Sequence, residues 1–287
     1  MTSGLPDIVR DLPGLRARVA AWRRDGEIVA VVPTMGALHE GHLSLVRRAA
    51  AEAGRVIVTI FVNPRQFNSQ ADLDAYPRTE EADRLKLAGQ GADVVYVPDG
   101  NTVYPPGFAT TVEVAGLSEG LCGAYRPGHF AGMATVVTKL FTQTNADLAF
   151  FGQKDFQQLC IVTRLAADLD LQIKVIGCPT LRETDGLAMS SRNLRLSPEA
   201  RAAAPVLYAE LQRVAARLAD GVAMSDCLAN AKLAIVAGGY QAVEYLELRA
   251  EADLAVLEHP SVPARLLVAA WLDGVRLIDN IAVPAAV

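Results

Sequence analysis

A chain of 287 residues, 51 % of them apolar, is long enough for one large domain or two modest ones with sizeable cores. Its formal net charge of −5 argues against a dedicated nucleic-acid binder, whose affinity would come largely from neutralising phosphates. Cys122, Cys160, Cys178 and Cys227 are scattered without a CxxC pair. The chain has no long apolar leader, and no uninterrupted apolar run of bilayer length. A reduced, soluble, cytoplasmic protein with no membrane association and no nucleic-acid partner is therefore expected.

In chain order, the first two-thirds alternate between two periodicities. Strands are predicted at residues 27–32, 55–62, 93–97, 147–151 and 172–178, and helices at 42–53, 79–90, 133–144 and 155–168. Thr79 before Glu80 and Glu81 reads as an N-cap followed by acids in the first turn. Strands alternating with helices imply βαβ units and a parallel sheet. The connection 98–146 is too long for a simple crossover. Its alternating stretch 110–114 predicts extra strand structure, and Arg126-Pro127-Gly128 predicts a turn. The pattern changes near residue 180. Two Ala/Leu-rich helices are predicted at 198–218 and 224–237, then antiparallel strands at 240–249, 265–272 and 275–278, the last two joined by an Asp273-Gly274 hairpin turn. The fold class is thus α/β: a Rossmann-like parallel-sheet domain with helices on both faces, residues 1–180, plus a smaller α+β domain with antiparallel strands, residues 181–287.

In an open α/β sheet, ligands bind beyond the carboxyl ends of the strands, and the unusual polar clusters fall there. Pro33-Thr34-Met35-Gly36-Ala37-Leu38-His39-Glu40-Gly41-His42 follows the first strand and opens a helix, where free N–H groups and the helix dipole favour anions. Gly36 and Gly41 let backbone approach a ligand closely. The two histidines suit imidazoles donating to phosphate, with a metal pair or a purely structural pair as alternatives; HEGH lacks the i,i+4 spacing of HExxH. Asn63-Pro64-Arg65-Gln66-Phe67 follows the second strand. Gly152-Gln153-Lys154-Asp155 follows the fourth, where Lys154 is either a movable charge for phosphate or a solvated surface lysine and Asp155 suits an N-cap equally well. Gln66, Gln157 and Gln158 suit the carboxylate or hydroxyls of a small acid, or are plain loop glutamines. Met189-Ser190-Ser191-Arg192-Asn193, after a flexible hinge near the domain boundary, suits a triphosphate-wrapping lid or an ordinary cap with a surface arginine.

These residues resemble a known family. Pro33 to His42 is similar to the HIGH-type signature of the nucleotidyltransferase superfamily that includes class I aminoacyl-tRNA synthetases, and Met189-Ser190-Ser191-Arg192 is similar to its KMSKS loop. More narrowly, Phe61-Val-Asn-Pro-Arg-Gln-Phe67, Tyr76-Pro-Arg-Thr79, Arg126-Pro-Gly-His-Phe130, Phe151-Gly-Gln-Lys-Asp-Phe-Gln-Gln158 and Asp185-Gly-Leu-Ala-Met-Ser-Ser-Arg-Asn193 resemble, in order across residues 28–198, the pantoate–β-alanine ligases. The C-terminal third adds no motif.

The resemblance implies an ATP-dependent condensation of pantoate with β-alanine through a pantoyl adenylate, with Mg²⁺ as cofactor, in a cytoplasmic homodimer whose C-terminal domain is a lid. It implies ATP contacts at Pro33, Thr34, Met35, Gly36, Ala37, Leu38, His39, Glu40, Gly41, His42, Gly152, Gln153, Lys154, Asp155, Leu181, Met189, Ser190, Ser191 and Arg192. His42, His39, Lys154, Ser190, Ser191 and Arg192 would serve catalysis. Gln66, Gln158, Asn63, Met35 and Tyr76 would bind pantoate or β-alanine, and Asp83 would be a Mg²⁺ ligand. Two departures from the family stand out: Leu194-Arg195 stand where a tyrosine is expected, and the positions neighbouring Asp83 hold Ala82 and Lys86. A plain nucleotidyltransferase is disfavoured by Gln66 and Gln158. A tRNA synthetase is disfavoured by the short acidic chain, and a non-catalytic nucleotide sensor by Lys154 together with His42.

Overall fold

A computed structural model describes residues 4–285. The chain divides into two compact units. One runs up to Gln153 and includes Ile161–Pro179; the other comprises Lys154–Cys160 and the chain from Thr180 onward.

Six strands of the first unit, β1 (Asp7–Val9), β2 (Val29–Thr34), β3 (Arg55–Ile60), β4 (Val94–Tyr96), β5 (Leu148–Gly152) and β6 (Lys174–Cys178), form one sheet in the order β1-β4-β3-β2-β5-β6. Every pairing is parallel. Both faces are covered, as side-chain alternation shows. Ala30, Val32, Val56, Val58 and Ile60 join Leu43, Leu45, Val46 and Ala49 of the helix Glu40–Glu52 in one buried cluster. The alternate residues Val31, Ile57 and Val94 are also fully buried. The helix His129–Thr144 packs against β2 and against the helix Leu12–Arg24. Each fully buried valine, leucine or isoleucine among them contributes about 1.5–3 kcal/mol. The strand order reverses at β2 and β5, so the carboxyl ends of these two strands, at Thr34 and Gly152, flank the crevice where α/β sheets hold ligands.

Several expected elements differ from those observed. Asp7–Val9 and Leu12–Arg24 were not anticipated from the sequence; the strand is only three residues long and edge-on to β4. β2 extends through Pro33, which is tolerated because the ladder with β5 has ended at Val31 and no carbonyl there waits for the missing N–H. The predicted strand at 110–114 is irregular. Side chains satisfy its backbone instead: Val112 N donates to Thr135 Oγ1 at 3.0 Å, and Arg65 Nη1 donates to Thr110 O at 3.3 Å. Arg126-Pro127-Gly128 does turn, with Gly128 left-handed at φ +76° before the helix His129–Thr144.

The second unit holds the helices Pro198–Ala203, Val206–Ala219 and Met224–Ala237 and an antiparallel sheet β7 (Ala242–Ala250), β8 (Ala264–Leu272) and β9 (Val275–Val283) in that order. The single helix expected at 198–218 is broken because Pro205 lacks the N–H that would continue it. Asp273 and Gly274 both take positive φ, +52° and +68°, as a tight hairpin requires. Leu207, Leu211 and Val214 pack on Leu246, Leu248, Leu266 and Val268 to form this unit's core.

Candidate active site

At the end of β2 the chain leaves the sheet as a tight, buried loop. Thr34 Oγ1 donates to Thr59 O at 2.7 Å and accepts from Gly36 N at 3.1 Å, which ties the loop to β3. Gly36 (φ +83°) and Ala37 (φ +50°) are both left-handed. A side chain at Gly36 would meet Ile60 Cγ2 at 3.1 Å and Asp83 Oδ2 at 3.2 Å. The N–H groups of Ala37 and Leu38, expected at ATP, donate to Asp83 within the chain at 2.8 and 2.7 Å.

His39 is the N-cap of the helix Glu40–Glu52, and His42 lies one turn in. Their rings are 4.1 Å apart between centroids, tilted by 42°. His42 Nδ1 accepts from His39 N at 3.4 Å, which places the proton of a neutral His42 on Nε2, the donor that a phosphate needs. The first N–H groups, of Glu40 and Gly41, have no acceptor within the helix, so the positive end of its dipole is left for an anion. The Glu40 carboxylate is turned onto Arg47, so only its backbone suits a nucleotide.

A second group of residues fixes Gln66. Asn63, 1 % exposed, uses all its polar capacity: Oδ1 accepts from Tyr104 Oη at 2.8 Å and Arg65 N at 3.3 Å, while Nδ2 donates to Gly132 O at 3.1 Å and Gln66 Oε1 at 2.9 Å. The Gln66 amide therefore presents Nε2, which points to Met35 Sδ at 3.3 Å. From behind, the Gln66 carbonyl accepts from His129 Nδ1 at 2.8 Å and Arg126 Nη2 at 3.2 Å. Arg126 Nη1 donates to His129 Nε2 at 3.1 Å, so His129 is the neutral Nδ1–H tautomer. Gly132 lets the helix come this close; a Cβ there would lie 2.1 Å from Arg65 O. Burial pushes the Tyr104 phenol up to about 12, so it remains a donor across the neutral range. Tyr76 is 6 % exposed and packs edge-on to Phe67 at 5.7 Å. The sequence had marked Asn63, Gln66 and the Arg126–Phe130 motif without their linkage. Tyr104 and Gly132 had no local signal, because both act across the fold.

Asp83 does not fit the expected role of Mg²⁺ ligand. It is wholly buried, and its carboxylate is taken up by Ala37 N, Leu38 N and the Thr79 hydroxyl, the last at 3.0 Å. Among the described residues no group of three or more His, Cys, Asp or Glu is placed to hold a metal ion.

In the second unit, Lys154 is 17 % exposed, with Nζ 3.7 Å from Asp155 Oδ2, and its carbonyl accepts from Asn280 Nδ2 at 2.8 Å. Gln157 is buried and Gln158 half-buried on the helix Phe156–Asp168. The segment expected to be a flexible hinge is a small hairpin: Arg182 bridges Ala188, and Met189 N donates to Leu181 O at 3.0 Å. Arg182 anchors it, donating to both carboxylate oxygens of Asp279 at 2.6 and 2.9 Å and stacking 3.6 Å above the Tyr208 ring. Ser190 caps the short turn Ser191–Arg195, its Oγ accepting from Arg192 N at 3.2 Å. Leu194, one of the two residues standing where the family's tyrosine is expected, is 83 % exposed.

The family model for pantoate–β-alanine ligase matches residues 7–282. A pantothenate synthetase from Chelativorans sp. is 64 % identical over 276 residues, covering 96 % of this chain and 97 % of that one. The chain belongs to the pantoate–β-alanine ligase family. A second relative, the pantothenate synthetase of Ruegeria pomeroyi, is 59 % identical over 276 residues, with 96 % and 97 % covered. Among solved ligases of the family, the pantothenate synthetase of Thermus thermophilus superposes with a TM-score of 0.90 at 42 % identity, over 96 % of this chain and 98 % of that one. The Francisella tularensis pantoate–β-alanine ligase, solved with beta-gamma ATP and β-alanine, gives 0.82 at 33 % identity over 96 % and 97 %. No helix among the described residues is long and apolar enough to cross a membrane.

Proposed function

We propose that this ligase joins pantoate to β-alanine at the expense of ATP through a pantoyl adenylate. A pantoate carboxylate oxygen attacks the α-phosphorus and pyrophosphate leaves. The β-alanine amine then attacks the acyl carbon, the acyl C–O bond breaks, and AMP departs carrying that oxygen. The substrate is itself the nucleophile, so the protein's work is positioning and charge stabilisation.

One observation carries this reading: Asn63 turns the Gln66 amide so that Nε2 stands against Met35, in the loop that leads to His39 and His42. A donor for a small acid is thereby placed beside an anion-favouring helix start. On this reading His42 and His39 donate to the phosphates, and Lys154, Ser190, Ser191 and Arg192 keep the ATP contacts that the family resemblance implies for them. Gln66 offers its amide donor to pantoate, and Gln158 is the second pantoate glutamine that the family resemblance implies. Mg²⁺ belongs to the triphosphate, with phosphate oxygens and water as its ligands. The family resemblance further implies a cytoplasmic homodimer in which the C-terminal unit acts as a lid; sedimentation tests the dimer.

Pantoate labelled with ¹⁸O in its carboxylate tests the route. The label is expected in AMP after turnover with β-alanine. Label confined to inorganic phosphate, with ADP as the nucleotide product, would refute it.

A further inference from the structure

The loop after β2 contains an anion site that its own chain has filled. Successive left-handed residues, Gly36 and Ala37, aim the N–H groups of Ala37 and Leu38 to one side, forming a backbone concavity that attracts negative charge. The charge inside it is Asp83, with Oδ2 2.8 Å from Ala37 N and Oδ1 2.7 Å from Leu38 N. Three residues later on the same helix, Lys86 donates Nζ to Leu38 O at 2.7 Å and lies 3.9 Å from Asp83 Oδ1. Donors and acceptor of one short stretch are thus gripped by a carboxylate and an ammonium of opposite charge. Ala37 needs such a grip, since a residue with a Cβ is strained in the left-handed region. A metal ion drawn to Asp83 would have to reach a wholly buried carboxylate that already accepts three hydrogen bonds, from Ala37 N, Leu38 N and the Thr79 hydroxyl.

We propose that Asp83 and Lys86 are positioning residues for the adenylation step, holding residues 36–38 so that His39 and His42 enter their helix in the working orientation. Asp83 is not a metal ligand. This rests on the reading that the two histidines act on the phosphates of ATP.

The test compares Asp83→Asn and Lys86→Met with the wild-type enzyme. Asp83→Asn keeps the side-chain volume but offers one acceptor oxygen where two N–H groups wait. Single-turnover adenylation from ATP and pantoate should slow by roughly 10–10² at saturating ATP, the scale of a small misplacement of reacting groups. The Mg²⁺ concentration giving half the maximal rate should stay within about two-fold of wild type, since no ligand is lost. Recovery of the wild-type rate at high Mg²⁺ would show a ligand and overturn the proposal; so would an unchanged rate. Lys86 is partly exposed, and Lys86→Met should fold even where Asp83→Asn does not. It should slow adenylation at an unchanged Mg²⁺ requirement and near-unchanged melting temperature, and a wild-type rate in it would equally overturn the proposal. Amide hydrogen exchange separates this proposal from the function it rests on. Ala37 and Leu38 should exchange faster in Asp83→Asn whatever the enzyme's substrate, and unchanged protection would show that no clamp exists.

Discussion

Asn63 decides which edge of Gln66 is available. Because its oxygen is committed to Tyr104 and Arg65, its amide N–H must donate to Gln66 Oε1, at 2.9 Å, and the donor end of Gln66 is what remains. Asn63→Ala should free the Gln66 amide to rotate and raise the KM for pantoate by roughly ten-fold, equivalent to about 1–1.5 kcal/mol for one such hydrogen bond. Its effect on the KM for ATP should be much smaller. Steady-state kinetics checks both, and equal changes in the two constants would contradict the assignment.

Gly132 is where the helix His129–Thr144 backs onto the turn that carries Gln66. A methyl group there collides with the Arg65 backbone carbonyl at 2.1 Å, with no flexible side chain to yield. Gly132→Ala should cost about 1–3 kcal/mol in chemical denaturation and weaken pantoate binding at the same time. Lost stability with intact pantoate binding would show that the turn does not transmit the strain.

The Arg182–Asp279 pair anchors the hairpin that leads to Met189, Ser190, Ser191 and Arg192. Asp279 is nearly fully buried, with a side chain 3 % exposed. Arg182→Met strands that charge and should destabilise the fold by about 3–5 kcal/mol, whereas replacing both partners by leucine should cost markedly less. Thermal and urea melts of the single and the double variant give the comparison.

Tyr104 sets an alkaline limit on stability. Burial raises its pKa from 10 to about 12, so the folded state holds the phenolic proton more tightly than the unfolded chain does. The stabilisation is therefore complete below pH 10 and is lost as pH rises from 10 to about 12. Tyr96, also pushed up to about 12 by burial, titrates in the same window. Tyr104→Phe should thus shrink the fall in melting temperature across that interval without abolishing it. A difference from wild type that keeps changing below pH 9 would contradict this sign.

Much of the fold was legible because long elements carry their own periodicity. Leu43, Val46 and Ala49 marked one helix, and the β-branched runs marked β2 and β3. What failed was decided at a distance. Thr110–Val114 alternates like a strand, yet Thr135 and Arg65 satisfy parts of its backbone. Asp83 was visible as an acid in a suggestive place. Its work was not visible, because its partners Ala37 and Leu38 lie some 45 residues away. The flexible hinge expected before Met189 is a pinned hairpin for the same reason: Arg182 finds Asp279 only in the folded chain.

On the proposed route pantoate, not the protein, attacks ATP before β-alanine takes part. Exchange of labelled pyrophosphate into ATP tests it most directly. Exchange is expected with ATP, Mg²⁺ and pantoate in the absence of β-alanine, and none when pantoate is omitted. Exchange that proceeds without pantoate, or that appears only after β-alanine is added, would contradict it.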